Sequence, residues 1–291
     1  NHDNVFKLIA SLDYRSISSK VGNVVDRMHS AHSALELTDD LLRLKNTVLS
    51  TDRSDLYLDG VIDLEKKTLD LNLNLKSADA ANLTAPYYAK FSAPVNFKGT
   101  LSGPAEGPEI KGRVKAESGS IHGIKFTEGF ADLSYRADAL VVDRLVISQD
   151  KATCDLSGNI HFRKAEGLFS FSDPFYKAKA ELKNVDINPF IKVFYGEVPV
   201  SGRISGLLSF EGSPDDFISP GTMVVNNVDI YGRRLDKINT KFEVRPKEIK
   251  FTSFNAHKAE SDIEAKGTLF FNKEFTLSAM SDRMRLQDVL A

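Results

Sequence analysis

The side chains best suited to chemistry in this 291-residue chain are few and scattered. His29 and His32 stand three apart, a spacing that on a helix would turn both rings to one side as metal ligands. No third ligand accompanies them, and two ordinary surface histidines are the alternative. Cys154 is the sole cysteine. It reads either as a nucleophile or, more simply, as a small buried hydrophobe, and its being alone excludes an internal disulfide. The paired acids Asp39-Asp40 and Asp215-Asp216 suit turns, or a weak calcium site. His161 alternates with Ile160 and Phe162 and so belongs to the wet side of a strand. Asn82-Leu83-Thr84 matches a glycosylation sequon, meaningful only in a eukaryotic secretory setting. Phosphate-cradling glycine loops, zinc spacings and a supported Ser/His/Asp order are all missing. The expectation is a protein that is not an enzyme, with no catalytic residue, no metal and no cofactor.

Composition narrows the class further. A formal charge of −2 argues against a nucleic-acid partner, which would meet a basic patch. Nineteen Phe with no Trp suits a surface that needs apolar bulk without polar handles. No apolar run approaches the ~20 residues that span a bilayer. The chain opens Asn1-His2-Asp3-Asn4 with no signal peptide, so any targeting or anchoring segment is expected outside it.

The elements that would position any site come from an internal repeat. Gly103, Gly112, Gly123 and Gly158 recur 109 positions later as Gly212, Gly221, Gly232 and Gly267. Apolar positions follow: Leu133 and Tyr135 meet Phe242 and Val244, and Leu140 and Val142 meet Ile249 and Phe251. Cys154, Ile160 and Phe162 then meet Ile263, Leu269 and Phe271. An earlier copy lies 98 positions upstream, where Leu56, Leu58 and Gly60 match Cys154, Leu156 and Gly158. The chain therefore holds roughly two and two-thirds copies of one unit.

Within each copy the period is two. Leu69, Leu71, Leu73 and Leu75 alternate with Asp70, Asn72 and Asn74, the pattern of a strand with one apolar and one wet face. The apolar parity flips between Leu44 and Thr47, between Val142 and Leu145, and between Phe251 and Phe254. A β-bulge at each place explains this, and so does a turn joining two short strands. Turn signals include Asp39-Asp40, Gly103-Pro104, Gly107-Pro108, Glu211-Gly212-Ser213-Pro214 and Ser219-Pro220-Gly221. Short helical signals occur at Asp3 to Ile9, Ala81 to Phe91, Asn188 to Phe194 and Gln287 to Leu290. They set unit boundaries at 1–92 for a partial first repeat, 93–196 for the second and 197–291 for the third.

One-sided strands can stack as a sandwich, close as a barrel or curl into a trough. The pattern runs through the unit junctions without a Gly/Ser or Pro-rich linker, which favours the trough. The expected fold is mainly β: an elongated, curled antiparallel sheet of repeated units with a few short helices. The glycine-spaced strands Gly99-Thr100-Leu101-Ser102-Gly103 and Gly206 to Gly212, and the stretch Leu182 to Phe190, resemble the AsmA-like superfamily. That superfamily includes the AsmA, TamB and YhdP types of bacterial envelope protein. The resemblance implies a hydrophobic-lined trough in the periplasm of a Gram-negative bacterium, anchored to the inner membrane through a segment absent from this chain. It also implies phospholipid movement toward the outer membrane or, on the TamB branch, assembly of outer-membrane proteins.

Physics supports the lipid reading separately, because carrying one C16 acyl chain through water costs on the order of 10 kcal/mol. The residues expected to line the groove are Leu56, Leu58, Ile62, Leu71, Leu73, Leu133, Tyr135, Leu140, Val142, Leu156, Ile160, Phe162, Phe242, Val244, Ile249, Phe251, Ile263, Leu269 and Phe271. Expected partners are phospholipid acyl chains, flanking repeats of the same protein and outer-membrane assembly proteins. Two rivals stand beside the conduit: a scaffold lending a sheet edge to outer-membrane proteins, and a purely structural β-repeat array with a filled core.

Overall fold

The computed structural model describes residues 7–14, 17–21, 24–81, 91–136, 138–163, 172–272 and 274–285. These residues form strands almost throughout, as period-two alternation requires. The chain divides into two compact units: Asn1–Asp143 with Lys164–Phe171, and Arg144–Arg163 with Ser172–Ala291.

In the first unit, β1 (Lys7–Tyr14) and β2 (Ile17–Val21) both pair with β3 (Val24–Thr38). β4 (Leu41–Thr51), β5 (Ser54–Asp63) and β6 (Thr68–Ser77) follow, each antiparallel to the one before. After the two-residue β7 (Phe91–Ser92), the ladder continues through β8 (Val95–Pro104) and β9 (Glu109–Ala116). The hairpin β10 (Gly119–Ile121) and β11 (Ile124–Phe126) joins β7 in a separate three-stranded sheet. β12 (Glu128–Arg136) returns to pair with β9. The division between units falls inside β13 (Ala139–Gln149).

The second unit runs β14 (Ala152–Arg163), β15 (Ser172–Asp186), helix α1 (Asn188–Tyr195), β16 (Val200–Ser213), β17 (Asp216–Ile230), β18 (Arg233–Arg245), β19 (Glu248–Lys258), β20 (Ser261–Phe270) and β21 (Phe275–Arg283). From β14 to β21 every strand pairs antiparallel with the next. In each unit the ladder is open: no described pairing brings its last strand back to its first. The fold is thus mainly β, antiparallel and not closed into a barrel.

The repeat is visible in the elements themselves. β4, β13 and β19 are each eleven residues long and begin at equivalent positions. The turns His122-Gly123 and Tyr231-Gly232 also correspond, both with positive φ at both residues (49° and 85°, 53° and 79°). Two successive positive φ values define the type I′ turn that matches the twist of a hairpin, and glycine holds the second place without strain.

Two of the three parity flips are bulges, and the third is no turn. Register shifts fall between Leu44 and Thr47 and between Phe251 and Phe254, while β13 runs unbroken across the third place. At the first, Asn46 takes φ 51°, and its N–H donates to Asp59 Oδ1 at 2.7 Å. An inserted residue with its backbone donor satisfied bends a strand without ending it.

Two local expectations need correction. Ser219-Pro220-Gly221 is no turn but lies within β17. Pairing with β16 lapses between Gly221 and Ile218, so the missing proline N–H falls where the ladder makes no demand for it. Lys7–Ile9, within the stretch read as helical, belong to β1; alternation along the strand overrode the Asp3-Asn4 start signal. Residues 1–6, 82–90 and 286–291 of the remaining helical signals lie outside the described residues, as does the Asn82 sequon. Near 190 the signal holds. Asp186 Oδ1 accepts the Asn188 N–H at 2.9 Å, Pro189 stands in the first turn and Gly196 ends the helix at φ 78°.

Candidate functional site

Register decides which side chains share a face. In the first unit, Leu56, Leu58 and Ile62 of β5 sit opposite Leu75, Leu73 and Leu69 of β6, with Gly60 opposite Leu71. The same face continues across the ladder: Leu73 to Gly99, Gly112 and Leu133, and Leu71 to Leu101, Ile110 and Tyr135. Of the expected residues, this one face gathers Leu56, Leu58, Ile62, Leu71, Leu73, Leu133 and Tyr135. Leu140 and Val142 lie on β13, both partly buried.

In the second unit, Leu156 and Ile160 pair with Ala180 and Tyr176. Phe242 and Val244 pair with Phe251 and Ile249, which pair in turn with Gly267 and Leu269, while Ala256 meets Ile263. Phe162 closes β14 and is buried. Phe271 sits in the turn after β20, its N–H donating to the Lys247 carbonyl at 3.0 Å.

Reading from the sequence missed further members of both faces. Phe97, Leu101, Ile110 and Val114 belong to the first. Tyr176, Leu208, Phe210, Phe217, Met223 and Phe254 belong to the second. The signal was present as plain alternation in Val95–Leu101 and Tyr176–Leu182. Aromatic rings link these residues: Phe210 stacks on Phe217 at 4.7 Å and meets Tyr176 edge-on at 5.8 Å. Phe251 lies 6.3 Å from Phe242 and 6.2 Å from Phe254. Centroid separations of this kind fall in the favourable range for ring pairs.

The opposite faces are largely polar, although Phe175, Leu207 and Ile218 stand exposed on that of the second unit. Arg113 grips Asp132 directly across β9–β12 with bonds of 2.5 and 2.6 Å, and the carboxylate holds the guanidinium above its ordinary pKa. Arg144 bonds Asp155 at 2.7 Å, and Lys177 reaches Glu211 at 3.5 Å. Exposed pairs like these keep a face wet rather than supply much stability.

The residues with chemical potential are kept apart. His29 and His32 lie on the extended strand β3 and not on the helix that the metal-ligand reading of their spacing requires. His161 is exposed opposite Phe175 on the polar face. Asp39 opens the β3–β4 turn at φ 49°. Among the described residues no three metal-ligating side chains come together. Cys154 lies partly buried opposite Leu182, and burial followed by the Asp155 charge raises its thiol pKa.

Burial along the apolar faces is incomplete. Leu71 and Tyr135 are 6% exposed, yet among the described residues no large side chain falls below 2%. A core pressed between two layers would contain such residues. The best-buried patch in the second unit is Leu182, Ile204, Val225, Val228, Ile238 and Ala256, at the α1 end of the strands, where Ile187 packs on it.

An open, glycine-spaced antiparallel ladder of this kind is what the TamB C-terminal domain model matches, over residues 45–277. The chain belongs to the TamB C-terminal domain family. No curated protein and no solved structure matches it. TamB-type proteins are envelope proteins of Gram-negative bacteria, and the matched span contains both apolar faces almost whole. Among the described residues of this TamB-type chain, no helix is long and apolar enough to cross a membrane.

Proposed function

We propose that the apolar faces of this TamB-type chain bind phospholipid acyl chains in the periplasm and pass them along between inner and outer membrane. The carrying observation is a one-sided apolar face, continued strand after strand in each unit, without, among the described residues, the fully buried large side chains of a two-layer core. Transfer of hydrocarbon onto such a face is favourable by ~0.8 kcal/mol per buried CH₂. Near-equivalent Leu, Ile, Val and Phe at successive positions keep any one place from holding a chain much more tightly than the next. On this reading the chain performs no chemistry. Its partners are lipid acyl chains and adjoining repeats of the same protein. Native mass spectrometry of the purified chain is expected to show phospholipid adducts, removable by organic extraction. Bare protein with a lipid-free extract would rule the reading out.

A further inference from the structure

Glycines on the apolar faces differ in what surrounds them. A Cβ added at Gly206 would meet the Thr222 carbonyl oxygen at 2.2 Å, so backbone excludes it. At Gly221 the three nearest atoms all belong to the Phe242 ring, at 2.5, 2.9 and 3.1 Å. Gly221 and Phe242 are cross-strand partners, so the ring lies against the bare Cα of the residue it pairs with. Phe242 is only 8% exposed, as befits part of a floor.

The corresponding glycine of the first unit, Gly112, is also covered by a ring. A Cβ built there meets the Lys98 carbonyl oxygen first, at 2.4 Å, with the Gly99 Cα and the Phe97 Cε2 both at 2.7 Å, so backbone excludes it there as at Gly206. That ring comes from β8, whereas the counterpart of Phe242 on β12 is Leu133, which pairs with Gly112. Both units therefore lay a phenylalanine ring over the same glycine of the repeat, using different strands to supply it. At Gly112 backbone comes nearer than the ring, whereas at Gly221 the ring itself is the nearest obstacle.

We propose that Gly221 and Phe242 together set the clearance of the second unit's apolar face. The glycine lets the ring lie down, and the lying ring keeps the floor low enough for an acyl chain to cross. This rests on the acyl-binding reading. Strand pairing holds the backbone on both sides of Gly221, at Leu208 and at Phe242 itself. A methyl group at position 221 must then lift the ring, and the open direction is away from the sheet, into the path of the ligand.

The test uses the chain with Gly221→Ala, Phe242→Ala and both changes together. The probe is phosphatidylethanolamine with two C16 chains, one carrying a terminal fluorophore, and circular dichroism checks the strands. Gly221→Ala is expected to stay folded and to bind about tenfold more weakly than the parent, whereas the same change made in the Phe242→Ala chain, where no ring is left to lift, is expected to alter binding by less than about threefold. A folded Gly221→Ala that binds like the parent overturns the inference. So does a Gly221→Ala change that weakens binding equally with and without the Phe242 ring, because the ring would then not be what the methyl lifts. If Gly221→Ala alone does not fold, a double variant that folds supports the inference, since removing the ring removes the obstacle, and a double variant that also fails to fold overturns it. A parent chain that ignores the probe sinks the acyl-binding reading itself, a separate outcome measured first.

Discussion

Replacing Phe251 with Ala and, separately, with Glu distinguishes an uncovered apolar face from a filled core. Phe251 is half-buried and touches two rings, Phe242 and Phe254. Its truncation forfeits about half of the ~1.5–3 kcal/mol that full burial of a Phe contributes. Each lost ring contact adds ~0.5–1.5 kcal/mol, so Phe251→Ala is predicted to cost about 2–4 kcal/mol in all. Phe251→Glu loses the same contacts, but on an uncovered face its carboxylate reaches water. The two variants should then lie within about 1 kcal/mol of each other. Under a second layer of protein the unpaired charge would cost several kcal/mol more than alanine does. Urea unfolding of the two proteins, followed by circular dichroism at pH 7, gives the difference directly. A glutamate variant less stable than the alanine variant by more than about 3 kcal/mol would refute the reasoning.

Further predictions concern single features. Asp59→Ala removes the acceptor of the Asn46 N–H at the first bulge and should cost about 1 kcal/mol by urea unfolding, whereas Asp59→Asn, which keeps an acceptor, should cost less. If both are neutral, the bulge does not depend on that bond. Asp63 accepts the Lys66 N–H at 2.8 Å and the Lys66 ammonium at 3.0 Å, and these bonds lower its pKa. A lowered carboxyl pKa stabilises the fold above the ordinary aspartate value of about 3.9 and loses that contribution as pH falls through the folded value. Asp63→Asn should therefore flatten the acid limb of a stability–pH curve and leave its slope near neutrality unchanged. Cys154, its thiol pKa raised by burial, should react with maleimide at pH 7 more slowly than free cysteine, and more slowly still with phospholipid present. Equal rates with and without lipid would place the ligand elsewhere.

Much of this architecture was legible because strand alternation and glycine spacing are local signals. Leu69 to Leu75 announced their face unaided, and the parity flips at Leu44–Thr47 and Phe251–Phe254 located bulges, although bulge and turn looked alike until register separated them. Ser219-Pro220-Gly221 misled because proline is tolerated inside a sheet where the ladder lapses, and the lapse depends on the neighbouring strand β16. The site was legible where the copies echo one another, as with Leu133 and Phe242. It was not legible where one copy puts a small residue and another a large one. Ala178 occupies the β15 place paired with Phe210, and nothing in either segment alone links them. The ring over Gly221 was likewise hidden, since only the fold brings Phe242 against it.

Site-specific photocrosslinking compares the two faces most directly. A benzophenone side chain is placed at Leu73 or Leu208 on the apolar faces, and at Asn72 or Ser209 on the polar ones, in cells whose phospholipid is radiolabelled. The account predicts labelled protein from Leu73 and Leu208 and none from Asn72 and Ser209. Equal labelling from both faces, or apolar-face positions that crosslink only to protein, would contradict it.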